Sequence, residues 1–479
     1  MHFFARFKER YIGDKAFYRS VLAVAVPIMV QNGITNFVSL LDNIMVGRLG
    51  TESMSGVSIV NQFIFIFNLL IFGAVSAAGI FTAQYHGRGD TAGVRDTFRF
   101  KVLITIFAAL VCGAVLYLAD DPLISLFLYD GSAEGDLALT LAEGKDYLLI
   151  TLSGLLPFAI SNAYASTMRE TGETVLPMKA SIVAVVTNFI LNSLLIFGMF
   201  GLPALGVRGA AIATVASRFA ELAVLVIWGH THRGVCPYLV GAYRSFRIPG
   251  ALFGQIAVRG LPLMLNEFFW SLAVTMRNQC YATRGLDAVA AQNICSTIVN
   301  VFSIVYLALG SAIAIIIGNL LGAGKLEEAR VTDRRLVAFS VLCSAAIGCL
   351  LAATSGLFPL LYNITENARS LAAYMIAVSA LVMPFCAFAN SAYFTIRSGG
   401  QVMITLLFDS VFMWVIVMPL SFLLSRATGM DIRPLYFICQ MTEALKALLG
   451  FLLLRRGTWV RQLIREDAET PAPEGSAEE

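Results

Sequence analysis

Four polar residues in the first half of the chain have the types and spacing to hold a small cation or a proton. Asp42 lies near the end of an apolar stretch, fifteen residues after Pro27, in LLDNIMVGRLG. Asn188 and Asn192 stand four apart in NFILNSLLIFG, so on a helix they share one face. Thr214 follows in GAAIATVASR. Carboxylate, amide carbonyl and hydroxyl oxygens are hard ligands, the kind a small cation needs when it sheds its water. The plainer readings are an aspartate that caps a helix end or faces water, and Asn and Thr that hydrogen-bond between helices. The second half has a different set: Glu267 five residues after Pro262, Asp409 in LLFDSVFMW, and Arg277. The two carboxylates could contact a substrate; they could equally pair with Arg277 or cap helices. Arg218 with Glu221, and Glu443 with Lys446, are i,i+3 pairs that read as charge neutralisation inside a bundle.

The elements that must position these residues are membrane-spanning helices. Of 479 residues, 58% are apolar and 14% are charged, against roughly 25% charged in a soluble protein. The apolar sequence falls in blocks of about 20 residues or more, enough to cross a ~30 Å hydrocarbon core. This excludes a soluble enzyme, a disordered chain and a disulfide scaffold. A net charge of +3 does not point to nucleic acid. The eight cysteines contain no CxxC pair and read as packing residues.

Hydropathy predicts about twelve spans, near 20–43, 56–84, 99–119, 146–168, 177–200 and 207–229, then 251–276, 288–317, 336–355, 371–395, 402–425 and 434–454. All must be helical, because an open strand edge cannot be satisfied in lipid. The expected organisation is an N-terminal tail (1–19), a first six-helix lobe (20–229), a polar linker (230–250), a second six-helix lobe (251–454) and a C-terminal tail (455–479). With a basic N-terminal tail (Arg6, Lys8, Arg10, Lys15, Arg19) ahead of an uncleaved first span, about 23 of the 34 basic residues fall on one side. About seven lie opposite, where one loop is acidic (Asp120, Asp121, Asp130, Glu134, Asp136). The positive-inside rule then places both termini in the cytoplasm.

The halves repeat. A constant offset of 235 residues matches Pro27 with Pro262, Met29 with Met264, Gly50 with Gly285, Gly87 with Gly322, Gly89 with Gly324, Arg95 with Arg330 and Arg99 with Arg334. Pro157, Phe158, Asn162 and Arg169 recur as Pro384, Phe385, Asn390 and Arg397, with one residue slipped. Six spans per half make the repeats parallel, an arrangement found in secondary transporters. At the same offset Asp42 becomes Arg277 and Asn32 becomes Glu267, so the halves diverge in charge while keeping their glycines and prolines. The pieces HGRGD and GAGK lack phosphate-loop spacing, and four scattered histidines make no metal site. Without a nucleotide site, energy must come from an ion gradient.

PIMVQN…LLDNIMVGRLG, QYHGRGDTAGVR, RETGET, NFILNSLLIFGMFG and GVRGAAIATVASR together resemble the MATE (multidrug and toxic compound extrusion) transporters, of a wider superfamily that includes lipid flippases. The resemblance implies two six-helix lobes that exchange an outgoing substrate for incoming Na⁺ or H⁺, with no cofactor and no nucleotide, in the cell membrane. It implies that Asp42, after the kinking Pro27, is the ion-responsive group, and that Asn188, Asn192 and Thr214 complete its site. Several branches of the family carry a second-lobe carboxylate eight residues after the seventh-span proline. Here that position is Trp270, and Glu267, one turn earlier, is the substitute to consider alongside Arg277 and Asp409. Amphipathic organic cations are the expected substrates, and a monomer in the bilayer the expected state. The alternatives are a flippase for a lipid-linked anion using Arg277 as headgroup partner and, in another class, a polytopic membrane enzyme, for which no clustered constellation is readable.

Overall fold

The computed structural model describes residues 11–125, 137–201, 203–362 and 364–466. Residues 1–10 and 467–479 of the expected tails, and Asp130, Glu134 and Asp136 of the acidic loop, lie outside that set. The described residues form helices joined by turns and short linkers, with no strand. Twelve long helices follow in order: α1 (Lys15–Gly47), α2 (Thr51–Arg88), α3 (Thr91–Leu118), α4 (Leu137–Glu170), α5 (Val175–Phe197), α6 (Gly206–Thr231), α7 (Gly250–Ala282), α8 (Leu286–Gly322), α9 (Leu326–Thr354), α10 (Glu366–Ser398), α11 (Val402–Arg426) and α12 (Ile432–Arg456). Eleven are long and apolar enough to cross a membrane on length and composition. The other, α7, has the length but carries Arg259, Asn266, Glu267, Arg277 and Asn278. Pro27, Pro157, Pro262 and Pro384 all lie inside helices that continue past them.

The chain divides into two compact units, one of residues 26–79 and 91–264, the other of residues 1–25, 80–90 and 265–479. In the first, Phe67, Ile71, Leu148, Leu155 and Ala211 belong to one buried cluster. The segment between α6 and α7 packs here too: Arg99 donates to the carbonyls of Ala242 (2.8 Å) and Gly241 (3.0 Å), and Tyr238 and Leu239 are buried. Cys236 is also buried, which pushes its thiol above the ordinary range and keeps it an inert packing residue.

In the second unit, Tyr281, Leu351, Met375, Leu435 and Cys439 are core. The described residues after α12, up to 466, pack against the bundle. Trp459, Leu463 and Ile464 are buried, and the Leu463 amide donates to the carboxamide of Gln84 (2.8 Å), whose nitrogen donates to the Ser398 carbonyl (3.1 Å). Two repeat-related glycines make a close crossing possible in this unit. A Cβ at Gly87 would run into the Asn319 backbone, and one at Gly322 into the Gln84 backbone.

Relative to α5, its counterpart in the first half, α11 carries one residue more, and the buried positions show where. Gly172 and Gly400, both with positive φ, are 228 apart, as are buried Ala180 and Phe408. Beyond that point the buried positions Ala184, Asn188, Asn192 and Ile196 match Met413, Val417, Ser421 and Ser425 at 229. Between the two registers lie the π-helical turns Leu407–Val411 and Met413–Val417. A π turn absorbs one extra residue without breaking the helix.

Candidate functional site

The four residues of the first half meet. Asn192 donates through Nδ2 to Asp42 Oδ1 (2.6 Å) and lies 3.0 Å from Asn188 Oδ1, while Asn188 Nδ2 reaches Thr214 Oγ1 (3.4 Å). Asn188 and Asn192 are buried by the contact of α5 with α6. Their i,i+4 spacing stacks both amides on the face that meets Thr214 and Asp42. Asn192 Oδ1 is buried without a hydrogen-bond partner, an unmet acceptor beside a carboxylate. Asp42 forms no ion pair among the described residues; Arg218, the cation that acts on it, is itself paired with Glu221 (3.4 Å) and stacks 4.7 Å over Phe158. The expected Arg218–Glu221 pair is therefore present. Glu221 also accepts from Ser181 (3.0 Å), Ser181 from Gln31 (2.8 Å), and Gln31 from Arg169 (3.3 Å). A small, partly open pocket adjoins the site, lined by Phe67, Asn68, Leu155, Phe158, Thr214 and Arg218.

The residues singled out in the second half separate into two groups. Asp409 accepts from Lys446 (2.5 Å) and from Asn266 (3.0 Å), and the neighbouring Ser410 hydroxyl donates to the Asn266 carbonyl (2.7 Å). Trp414 donates to the Phe269 carbonyl (3.0 Å). Glu267 accepts from the Tyr393 hydroxyl (3.2 Å) and lies near Arg397 and Asp409. Trp270 is exposed on α7. The expected Glu443–Lys446 pair does not form, and neither carboxylate pairs with Arg277. The wider turns of α11 bring Asp409 to Lys446, which a helix-face argument on α12 alone could not anticipate. Arg277 stands apart, with Tyr281 and Glu443 as its electrostatic neighbours.

Two basic residues near span ends, Lys101 and Arg397, are buried. Lys101 is ion-paired with Glu170 and bonded to Ser166 (3.0 Å) and Thr167 (3.2 Å). Arg397 lies 5.5 Å from the Phe394 ring. The apolar run FRFKVLITIF around Lys101 was the available signal. Asp333 is likewise buried and takes a 2.5 Å hydrogen bond from Thr395. Among the described residues no group of three His, Cys, Asp or Glu comes together as a metal site.

Twelve long helices in two sequence repeats, with a buried polar site inside an apolar bundle, define a polytopic membrane protein built as secondary transporters are. The MatE family model matches residues 27–194 and again 262–423, beginning in each half at the repeat-related proline. Those two stretches cover more than half of the chain, which therefore belongs to the MatE family of transporters. Among its relatives, the probable multidrug resistance protein NorM of Thermotoga maritima is 24% identical over 93% of this chain and 94% of its own length. The probable multidrug resistance protein YoeA of Bacillus subtilis is 23% identical over 87% and 88%. The fold is that of a solved outward-facing multidrug resistance MATE family transporter of the MOP superfamily (TM-score 0.84, 18% identity, covering 94% of this chain and 97% of that one). It is also that of a MATE in complex with MaL6 (TM-score 0.83, 19% identity, 94% and 98%).

Proposed function

We propose that this transporter exports amphipathic organic cations in exchange for H⁺ or Na⁺, and that Asp42 is the group through which the ion acts. The observation that carries this reading is a carboxylate without an ion pair among the described residues, joined to Asn192, whose own carbonyl oxygen is buried and finds no hydrogen-bond partner among them. With Asp42 charged, the Asn192 amide nitrogen stabilises it. With a proton on Asp42, a rotated Asn192 accepts that proton through Oδ1. With Na⁺ in place, the same rotation adds an oxygen to those of Asp42, Asn188 and Thr214. In each case the ion and the Asn192 amide nitrogen exclude one another at Asp42. Glu267, held by the Tyr393 hydroxyl, offers negative charge for an organic cation in the second half.

Transport requires that ion and substrate favour different states, since a ligand with equal affinity for both shifts nothing. The two lobes, 20–229 and 251–454, alternate access between the two sides of the membrane, with both termini cytoplasmic and a monomer as the working unit. The test is Asp42→Asn in proteoliposomes under separately imposed Na⁺ and pH gradients. Dye efflux driven by either gradient should vanish while the protein remains folded and inserted. Undiminished gradient-driven efflux would remove Asp42 from the mechanism.

A further inference from the structure

The site in the first unit has a charge-inverted counterpart in the second. Asp42 and Arg277 are related by the 235-residue offset, and each lies five residues before its helix ends, at Gly47 and Ala282. On α6 and α12 the buried positions Val207, Ala210, Ala211, Ser217 and Leu225 match Ile432, Leu435, Tyr436, Thr442 and Gly450 at an offset of 225. In that register Arg218 corresponds to Glu443, Glu221 to Lys446, and Thr214 to Cys439. In the 229 register of α11, Asn188 and Asn192 correspond to Val417 and Ser421. Every charge of the first set is reversed in the second. The amide oxygens that would hold a cation have given way to Val417 and to a hydroxyl, with Ser421 3.3 Å from the Cys439 sulfur.

The bonding is inverted as well. Asp42 has no ion pair among the described residues, and its neighbouring cation Arg218 is engaged by Glu221. Arg277 forms no ion pair among the described residues; Glu443 acts on it from beyond ion-pair distance, and Lys446 is engaged by Asp409. Where the first site leaves an acceptor unmet, at Asn192 Oδ1, the second leaves donors unmet. Arg277 Nε is buried without a hydrogen-bond partner among the described residues, and the Tyr281 hydroxyl, one turn on along α7, is buried with only the Cys439 thiol, a weak acceptor, beside it. A buried donor left unmet or on a weak acceptor is costly, and two such donors beside the Arg277 guanidinium call for an acceptor that carries negative charge.

We propose that Arg277 and Tyr281 form a site for a monovalent anion, either free chloride or the carboxylate of a zwitterionic substrate. The guanidinium supplies charge and Nε–H, the Tyr281 hydroxyl donates alongside it, and Ser421 and Cys439 close the side that amides occupy in the first unit. The site stands apart from Asp42 and from any ion held there.

The test uses the full chain in lipid nanodiscs, with isethionate replaced by chloride or acetate at constant Na⁺. Either anion should raise the unfolding midpoint saturably in the wild type and in Asp42→Asn. Arg277→Gln should abolish the response, and Tyr281→Phe should raise the half-saturating concentration about three- to tenfold. Efflux of rhodamine B, which carries a carboxylate, and of its ethyl ester separates the two sources. If the substrate supplies the anion, Arg277→Gln raises KM about tenfold for the acid alone; if chloride does, both dyes are affected alike. The proposal is overturned if neither anion gives a saturable response and the two dyes do not differ. Should Arg277→Gln not fold, an anion response in Tyr281→Phe equal to that of the wild type overturns it too. Loss of the Na⁺ or H⁺ dependence in Asp42→Asn with the anion response intact separates the two readings.

Discussion

Lys101 is buried within a helix that must also be apolar, and its pairing with Glu170, Ser166 and Thr167 is what makes that tolerable. Removing one partner of a buried pair leaves the other charge uncompensated, at a cost of about 3–5 kcal/mol, whereas removing both is often nearly neutral. Lys101→Met should therefore lower the unfolding midpoint sharply in detergent, and Lys101→Met combined with Glu170→Gln should recover most of the loss. A double variant no better than the single one would mean that the charge, not its pairing, is needed. The same scale explains what the residues alone disclosed. Asp42, Asn188, Asn192 and Thr214 were legible because their types fit one chemistry and two of them share a helical face. Lys101 was not, because a lysine near a span end looks the same whether it turns to water or to a carboxylate 69 residues away in the chain.

Among the elements, α11 most exceeds what hydropathy conveys. Its span was readable, but periodicity cannot show that Leu407–Val417 is wound in π turns, since the apolar run simply continues. The wider turns let consecutive residues, Asp409 and Ser410, both reach Asn266 while Asp409 also holds Lys446. Deleting Val411 should return the segment to α-helix and bring α11 into a single register with α5. Asp409 and Ser410 would then diverge by a full α-helical step, and at least one of their contacts would fail. Hydrogen bonds to charged groups contribute about 1.5–3 kcal/mol each, so the unfolding midpoint should drop by several degrees. Circular dichroism and the midpoint together check this; an unchanged midpoint would make the π turns incidental.

At the scale of the whole molecule, the asymmetry of basic residues sets the expected orientation, and it can be checked directly. In a background without the eight native cysteines, a cysteine replacing Gly429, between α11 and α12, should react with an impermeant maleimide on intact cells. One replacing Glu328, at the start of α9, should react only after permeabilisation. The opposite pattern would reverse the topology.

The sequence by itself determined the membrane class, the twelve helices, the duplication and the residues of the first site. Those follow from local quantities: apolar length against bilayer thickness, spacing along a helix, and residue type. Only the tertiary structure decided which charges neutralise one another, that the segment after α12 packs against Gln84, and that the second half encloses donors where the first encloses acceptors. Pairing across helices depends on depth, rotation and the one-residue shift in α11, and none of these is carried by any single stretch of sequence.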